Sequence, residues 1–311
     1  MILVAGLSPA WQQVLVFDRL LLGEVNRAAE VHWFPAGKVV NAGRVVGRLH
    51  RRGLGGPARA LTVLGGSTGD ALRRAAEADG LDLVVIPGAT PTRICTTLID
   101  RAAGAVTELV ENARPIGDGE LEAFRDRFRR EAAGAGAAIV IGSLPAGVPP
   151  GSYRSLLQGL SIPVVLDARG PEMLEALPTR PFVVKPNREE LGKTFGRSLD
   201  SEVDLREAML EVARRGARWV LVTDGARPAW VLGEGRFWKL HPPSVVPVNP
   251  IGSGDCLAAG IAAATVQGAD PIEAIRTGIA AGAENATTLL PADIDGAMAL
   301  GLRPSVRVEE A

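Results

Sequence analysis

The segment Asn249–Gly260, N-P-I-G-S-G-D-C-L-A-A-G, sets a glycine-serine-glycine turn directly before an alanine-rich stretch, with Asp255 at the junction. Glycines let backbone come close to a ligand, and the unpaired N–H groups that open a helix make an anion site. A carboxylate beside such a turn is placed to take a proton from a hydroxyl that attacks a phosphoryl group. Aspartate is also a common plain N-cap. A cap needs one acceptor oxygen, however, not a stripped backbone in front of it. Gly252, Ser253 and Gly254 are therefore the candidate anion hole, and Asp255 the candidate base.

Two other segments carry similar chemistry. In Pro35–Arg44, P-A-G-K-V-V-N-A-G-R, Gly37 precedes a helical pattern with Lys38 and Asn41 in its first turns. A lysine there opposes the helix dipole, a mismatch that an anionic ligand would relieve; the plain alternative is a lysine pointing into solvent. In Val183–Leu191, V-V-K-P-N-R-E-E-L, an apolar strand ends at Lys185-Pro186, and Asn187 and Glu190 follow one turn apart. The carboxyl end of a parallel strand is where α/β proteins bind ligands, and an amide plus a carboxylate suits hydrated Mg²⁺ and phosphates. A capping Asn with a solvated Glu is the plain alternative. No G-x-x-x-x-G-K-[ST] occurs, and no G-x-G-x-x-G follows the first strand, so P-loop and dinucleotide sites are disfavoured. The run Gly65–Gly69 is only a weak phosphate-loop candidate.

These residues need a scaffold. Apolar runs at Ile2–Ala5, Leu61–Leu64, Ala138–Ile141, Val164–Asp167, Phe182–Lys185 and Trp219–Thr223 read as strands buried on both faces. Helical patterns at Lys38–Arg51, Gly69–Ala78, Asp118–Ala133, Pro150–Gly159 and Val203–Arg215 alternate with them, which predicts a doubly wound α/β sheet. The C-terminal third is expected to turn helical, through Asp255–Val266 and a helix capped by Asp270 with Pro271 at its first position. Val14–Leu22 with Ala29–Phe34, and Thr92–Asp100 with Ala105–Leu109, read as antiparallel ribbons. They are expected to form a small sheet standing off the main one as a lid; edge strands of the main sheet are the alternative.

Composition narrows the function. Lys+Arg number 34 and Asp+Glu 35, so no net field draws the chain to nucleic acid or an anionic membrane. Aromatics at 4% leave little for a base-stacking surface. The two cysteines, Cys95 and Cys256, exclude a disulfide scaffold and a cysteine-based zinc site, and make a reducing, cytoplasmic setting the default. The apolar start M-I-L-V-A-G-L lacks a basic region and reads as a buried strand rather than a signal peptide.

Taken together, the motifs resemble the ribokinase-like (PfkB) carbohydrate kinases, above all the 1-phosphofructokinase and tagatose-6-phosphate kinase branch. The resemblance rests on L-S-P-A-W-Q, G-E-V-N-R, P-A-G-K-V-V-N-A-G-R, T-R-I-C, G-S-L-P-A-G, K-P-N-R-E-E and N-P-I-G-S-G-D, in that order along nearly the whole chain. It implies one kinase domain over 1–311: a mostly parallel, doubly wound sheet flanked by helices, with a small β-sheet lid from about 12–34 and 91–110. It implies ATP and Mg²⁺, a sugar-phosphate substrate, no nucleic-acid or membrane partner, and a homodimer through the lid. By position, Asp255 is implied as base and Gly252, Ser253 and Gly254 as anion hole. Lys185, Asn187, Glu190, Thr223, Gly225 and Asn285 fall at the nucleotide, with Glu190 reaching the metal through water. Gln12, Arg27, Gly37, Lys38, Asn41, Arg93 and Ser143 fall at the phosphosugar.

Several positions depart from the pattern. The family's sugar-binding aspartate is Gln12 here, after Trp11; two glycines are Ala36 and Val39; and Pro228 replaces a nucleotide-loop glycine. Glutamine carries no charge and offers one acceptor oxygen instead of two. The implied activity is ATP-dependent phosphorylation of a hydroxyl on a phosphorylated sugar. A non-catalytic sugar-phosphate or nucleotide binder on the same fold, and a kinase of an unphosphorylated sugar or nucleoside, stay open.

Overall fold

A computed structural model describes all 311 residues. The chain starts in β1 (Ile2–Ala5) and then leaves the main sheet for β2 (Ala10–Phe17) and β3 (Glu30–Ala36). It returns through α1 (Lys38–Arg51), β4 (Ala58–Leu64), α2 (Gly66–Ala78) and β5 (Asp82–Pro87), and leaves again for β6 (Ile94–Asp100) and β7 (Ala105–Val110). There follow α3 (Asp118–Ala132), β8 (Ala137–Ile141), α4 (Ser152–Leu157), β9 (Val164–Asp167), α5 (Gly170–Ala176) and β10 (Val183–Val184). The last part comprises α6 (Arg188–Phe195), α7 (Glu202–Arg214), β11 (Trp219–Asp224), β12 (Arg227–Gly233), β13 (Arg236–His241), α8 (Ser253–Val266), α9 (Pro271–Ala286), α10 (Ala297–Leu302) and β14 (Arg307–Glu310).

Ten strands make the main sheet, in the order β14-β13-β12-β11-β10-β9-β8-β1-β4-β5. From β5 to β11 every pairing is parallel; β12, β13 and β14 extend the sheet antiparallel. Alternate strand residues feed two cores. Ile2, Val4, Ile139, Ile141 and Val165 pack with Val45 of α1 and Ala258 and Ile261 of α8. Leu3, Ala5, Val140 and Leu166 pack with Phe124 and Phe128 of α3 and Tyr153 of α4. Burial on both faces explains why these strands are apolar without alternation.

The four lid strands form their own sheet, in the order β3-β2-β6-β7. The two antiparallel ribbons are joined by parallel pairing of β2 with β6, which excludes the edge-strand alternative. One face carries Val14, Val16, Phe34 and Ile99 against Leu289 and Leu290 from the body. The other carries Trp11 stacked on Trp33, with Val31, Trp33 and Leu109 about half exposed.

Some expected boundaries move. The first ribbon strand ends at Phe17, and Leu22, expected inside it, is 94% exposed. That loop is folded by Asn26, whose side chain receives Leu21 N–H and donates to Leu21 and Glu24 carbonyls. The C-terminal third is not wholly helical: β12, β13 and β14 lie in or beside it. Pro228 within β12 argues against a strand in sequence, yet the hairpin to β11 carries a register shift next to it. The exposed R-V-E-E of β14 has no apolar signal, because it is an edge strand.

Candidate active site

Both helix N-termini singled out by sequence lack a side-chain cap. Gly37 precedes α1 at φ 87° and Gly252 precedes α8 at φ 86°, left-handed conformations that favour glycine. By contrast Asn187, Ser201 and Asp270 cap α6, α7 and α9 through their side chains. Within the turn, Ser253 N–H donates to Pro250 carbonyl at 3.2 Å, while the N–H groups of Gly252 and Gly254 have no protein acceptor. The turn is held from behind. Asn249 accepts from Ile251 N–H and donates to Leu289 carbonyl. Asn285, fully buried, donates to Ile251 carbonyl at 2.9 Å and Ser253 Oγ at 3.0 Å, and accepts from Ala292 N–H at 2.7 Å. Its amide is thus committed to propping the turn.

Asp255 lies on the first turn of α8, 5% exposed, and accepts from Asn41 Nδ2 at 2.8 Å across the gap to α1. Burial raises its carboxyl from the ordinary 3.8 to about 6; the charge of Asp167 raises it too, while Lys38, Asn41 and Lys185 hold it down. A carboxyl tuned near neutrality is suited chemically to proton removal. Asn41 Oδ1 is buried without a partner.

Sequence inspection did not single out Asp167. It sits at the carboxyl end of β9, 1% exposed. Lys38 Nζ donates to its Oδ1 at 3.0 Å, and Lys185 Nζ lies 2.9 Å from its Oδ2. The two ammonium groups outweigh burial and hold the Asp167 carboxyl below the usual range. Burial pulls the Lys38 ammonium down, but Asp167, Asp255 and Glu190 together push it above the usual lysine range. Lys185 also reaches the turn: a Cβ on Gly254 would lie 3.3 Å from its Nζ. The strand end Val164–Asp167 was legible in the sequence; what it faces was not, because its partners come from residues far away in the chain.

Asn187 and Glu190 form a reciprocal capping box: Glu190 N–H donates to Asn187 Oδ1 at 2.8 Å, and Asn187 N–H to Glu190 Oε2 at 3.0 Å. Glu190 Oε1 stays free of hydrogen bonds, 3.8 Å from Arg169. Thr223 bridges to Asn187 through backbone, and Gly225 turns the β11–β12 hairpin at φ 60°. No group of three or more His, Cys, Asp or Glu side chains is arranged to hold a metal. A Mg²⁺ that keeps waters and takes most of its other ligands from phosphates fits one such carboxylate oxygen.

The expected sugar-side residues are less unified. Gln12, 4% exposed, donates from Nε2 to Thr97 Oγ1 at 2.9 Å on the buried face of the lid. Arg93 donates to the carbonyls of Pro9, Glu111 and Ser8, tying the lid to its hinge. Arg27 is exposed and forms no side-chain hydrogen bond or ion pair. The carbonyl of Ser143 accepts from Ser8 Oγ at 2.6 Å. Gly37 closes the hinge: a Cβ there would lie 2.7 Å from Pro9 Cα.

The two-faced, mostly parallel sheet with a separate four-stranded lid is the ribokinase-like fold, and it carries a buried aspartate at an uncapped helix start. Residues 11–293 match the pfkB family of carbohydrate kinases, and the chain belongs to that family as an ATP-dependent sugar kinase. Among solved structures it is similar to phosphofructokinase-2 from Escherichia coli in complex with potassium, at 22% identity and TM-score 0.88, covering 98% of each chain. It is similar to a possible 1-phosphofructokinase from Thermotoga maritima, at 17% identity and TM-score 0.88, covering 100% of both. Arabidopsis thaliana ribokinase complexed with ribose and ATP is similar at 19% identity and TM-score 0.72, covering 97% of this chain and 98% of that one. No helix is long and apolar enough to cross a membrane.

Proposed function

We propose that the protein transfers the γ-phosphoryl group of ATP to a hydroxyl of a phosphorylated sugar, with Asp255 as the base. The observation that carries this reading is the pairing of a buried, raised-pKa carboxylate with two unpaired N–H groups, those of Gly252 and Gly254, on one helix start. Asn41 orients Asp255 toward the acceptor hydroxyl. The carboxylate takes the hydroxyl proton as the oxygen bonds to the γ-phosphorus and the bond to the ADP oxygen breaks. The turn's N–H groups face the charge on the transferring group, where preorganised donors act most strongly. Lys185, against Gly254, adds a positive charge on the same side. Mg²⁺, when bound, would screen the phosphate charge; Glu190 Oε1 and the Asn187 amide are the groups placed to orient its waters. Thr223 and Gly225 would line the nucleotide at the end of β11. Asn285 would act through the turn that it props.

The sugar phosphate falls to Arg27, the remaining donors of Arg93, and Ser143, since each charge-assisted hydrogen bond to a phosphate strengthens binding. The test is ADP release with Mg-ATP across a panel of phosphorylated and plain sugars. Turnover confined to phosphorylated sugars supports the reading. A second reading, a kinase of an unphosphorylated sugar or nucleoside, is favoured by the engagement of Arg93 with three carbonyls and of Lys38 with Asp167. The same panel separates the two.

The outer lid face, with Trp11, Leu15, Val31, Trp33, Leu98 and Leu109, would be covered by the lid of a second copy. Three of these side chains are about half exposed in the single chain, and contiguous exposed apolar area marks an interface. The E. coli phosphofructokinase-2 is described as tetrameric in an inhibited form, which supports self-association through such a fold. Sedimentation of the parent as a dimer, and of a Trp33→Glu variant as a monomer, is the expected result.

A further inference from the structure

We propose that Asp167 is a positioning residue whose two carboxylate oxygens hold the ammonium groups of Lys38 and Lys185 on the phosphoryl-transfer side of the pocket. The inference rests on the kinase reading above and deepens it. It also moves Lys38 away from the sugar's own phosphate and toward the phosphate groups of the nucleotide.

Three observations carry it. First, Asp167 is 1% exposed, and its ion-pair partners are the two lysines, at 3.0 and 2.9 Å. A carboxylate that bridges two cations fixes their separation, and a buried ion pair is oriented far more tightly than an exposed one. Second, the two lysines come from different elements. Lys38 opens α1 and Lys185 ends the strand segment after β10, while Asp167 ends β9 between them. Without Asp167, two positive charges would face one another with nothing to hold them together. Third, Lys185 borders the turn, and both lysines act on its aspartate. Lys185 Nζ lies where a Gly254 Cβ would be 3.3 Å away, and the Lys38 and Lys185 charges both act on Asp255. The Lys38 side chain remains 42% exposed, and its ammonium makes one hydrogen bond, to Asp167, which leaves donors for a ligand. Lys185 Nζ has three donors and this one contact with Oδ2, so this ammonium too keeps donors to offer. A pair of half-satisfied ammonium groups, tethered at one point and beside an anion turn, is arranged for a ligand with several phosphate oxygens.

The charged and polar groups around Asp255 are Lys38 and Asn41 from α1, Asp167 after β9, and Lys185 after β10. Asp167 is the one that raises the Asp255 carboxyl by its charge. Neutralising it therefore moves the acid limb of turnover to lower pH, a change that a merely structural residue would not produce.

The experiment measures binding of ATP with Mg²⁺ by calorimetry, without any sugar, on the parent, Asp167→Asn, Lys38→Met and the double variant. Steady-state KM values and the pH profile on the best sugar of the panel accompany it. Expected for each single variant is ATP binding weaker by about ten-fold or more, the loss of an oriented charged donor. The KM for the sugar should stay within about two-fold. The double variant should bind little worse than Asp167→Asn alone, because Lys38 is held through Asp167. Lys38→Met tests the assignment even if Asp167→Asn does not fold, since Asp167 then keeps Lys185 as its partner. Unchanged ATP affinity in Lys38→Met, a rise confined to the sugar KM, or fully additive losses would overturn the proposal. A parent that binds no nucleotide would instead overturn the kinase reading itself.

Discussion

Replacing Asp255 by Asn separates the two consequences of burying a carboxylate beside the glycine turn proposed to hold the transferring phosphoryl group. The amide keeps the shape and can still pair with Asn41, but it cannot take a proton. Turnover should fall by about 10² or more, with nucleotide affinity largely kept. Stability should move the other way. The carboxyl is raised from 3.8 to about 6 by burial, so the folded state prefers the protonated form and ionisation opposes folding. Above the folded value the full cost applies, about 3 kcal/mol for a rise of this size. As pH falls from 6 toward 3.8 the cost shrinks, and below 3.8 it is gone. Asp255→Asn should therefore melt several degrees higher than the parent at pH 8, the difference narrowing steadily to pH 4. The same titration gives the parent an acid limb in kcat near pH 6. Parallel melting and turnover profiles from pH 4 to 8 are the assay. A variant with turnover within a few-fold of the parent, or one less stable by the same amount at every pH, would refute the assignment of Asp255 and its electrostatic account.

Two further changes probe the lid and its hinge. Gln12→Asp exchanges the Nε2 donor to Thr97 for a carboxylate, and should raise kcat/KM on at least one of fructose 1-phosphate, fructose 6-phosphate and tagatose 6-phosphate; a loss on a sugar that the parent already uses well would show that glutamine belongs to a working site. Gly37→Ala puts a Cβ 2.7 Å from Pro9 Cα at φ 87°, and should cost about 2 kcal/mol or more, read as a lower melting temperature; an unchanged melting point would mean that the hinge backbone is free to shift.

Much of this molecule is decided locally. The helix Lys38–Arg51 begins and ends where its sequence pattern does, because glycine before it and basic residues in its last turn are contiguous signals. The buried parallel strands were legible for the same reason: burial on both faces makes a run apolar throughout. Gly252, Gly254 and Asp255 were visible because the glycine turn and the aspartate proposed as its base are adjacent in sequence. Contacts between distant segments were not visible. Asp167 looks like the polar end of an apolar strand until β9 lies between Lys38, 129 residues earlier, and Lys185. The three carbonyls that Arg93 meets, those of Ser8, Pro9 and Glu111, come from segments that only the fold brings together. Asn285 and Glu190 show the same limit, for an amide or carboxylate can cap, prop or bind, and only its neighbours in space choose. Sequence determined the elements and the glycine turn that leads into Asp255. The tertiary structure decided which charges face one another, since electrostatic partners depend on separation in space rather than along the chain.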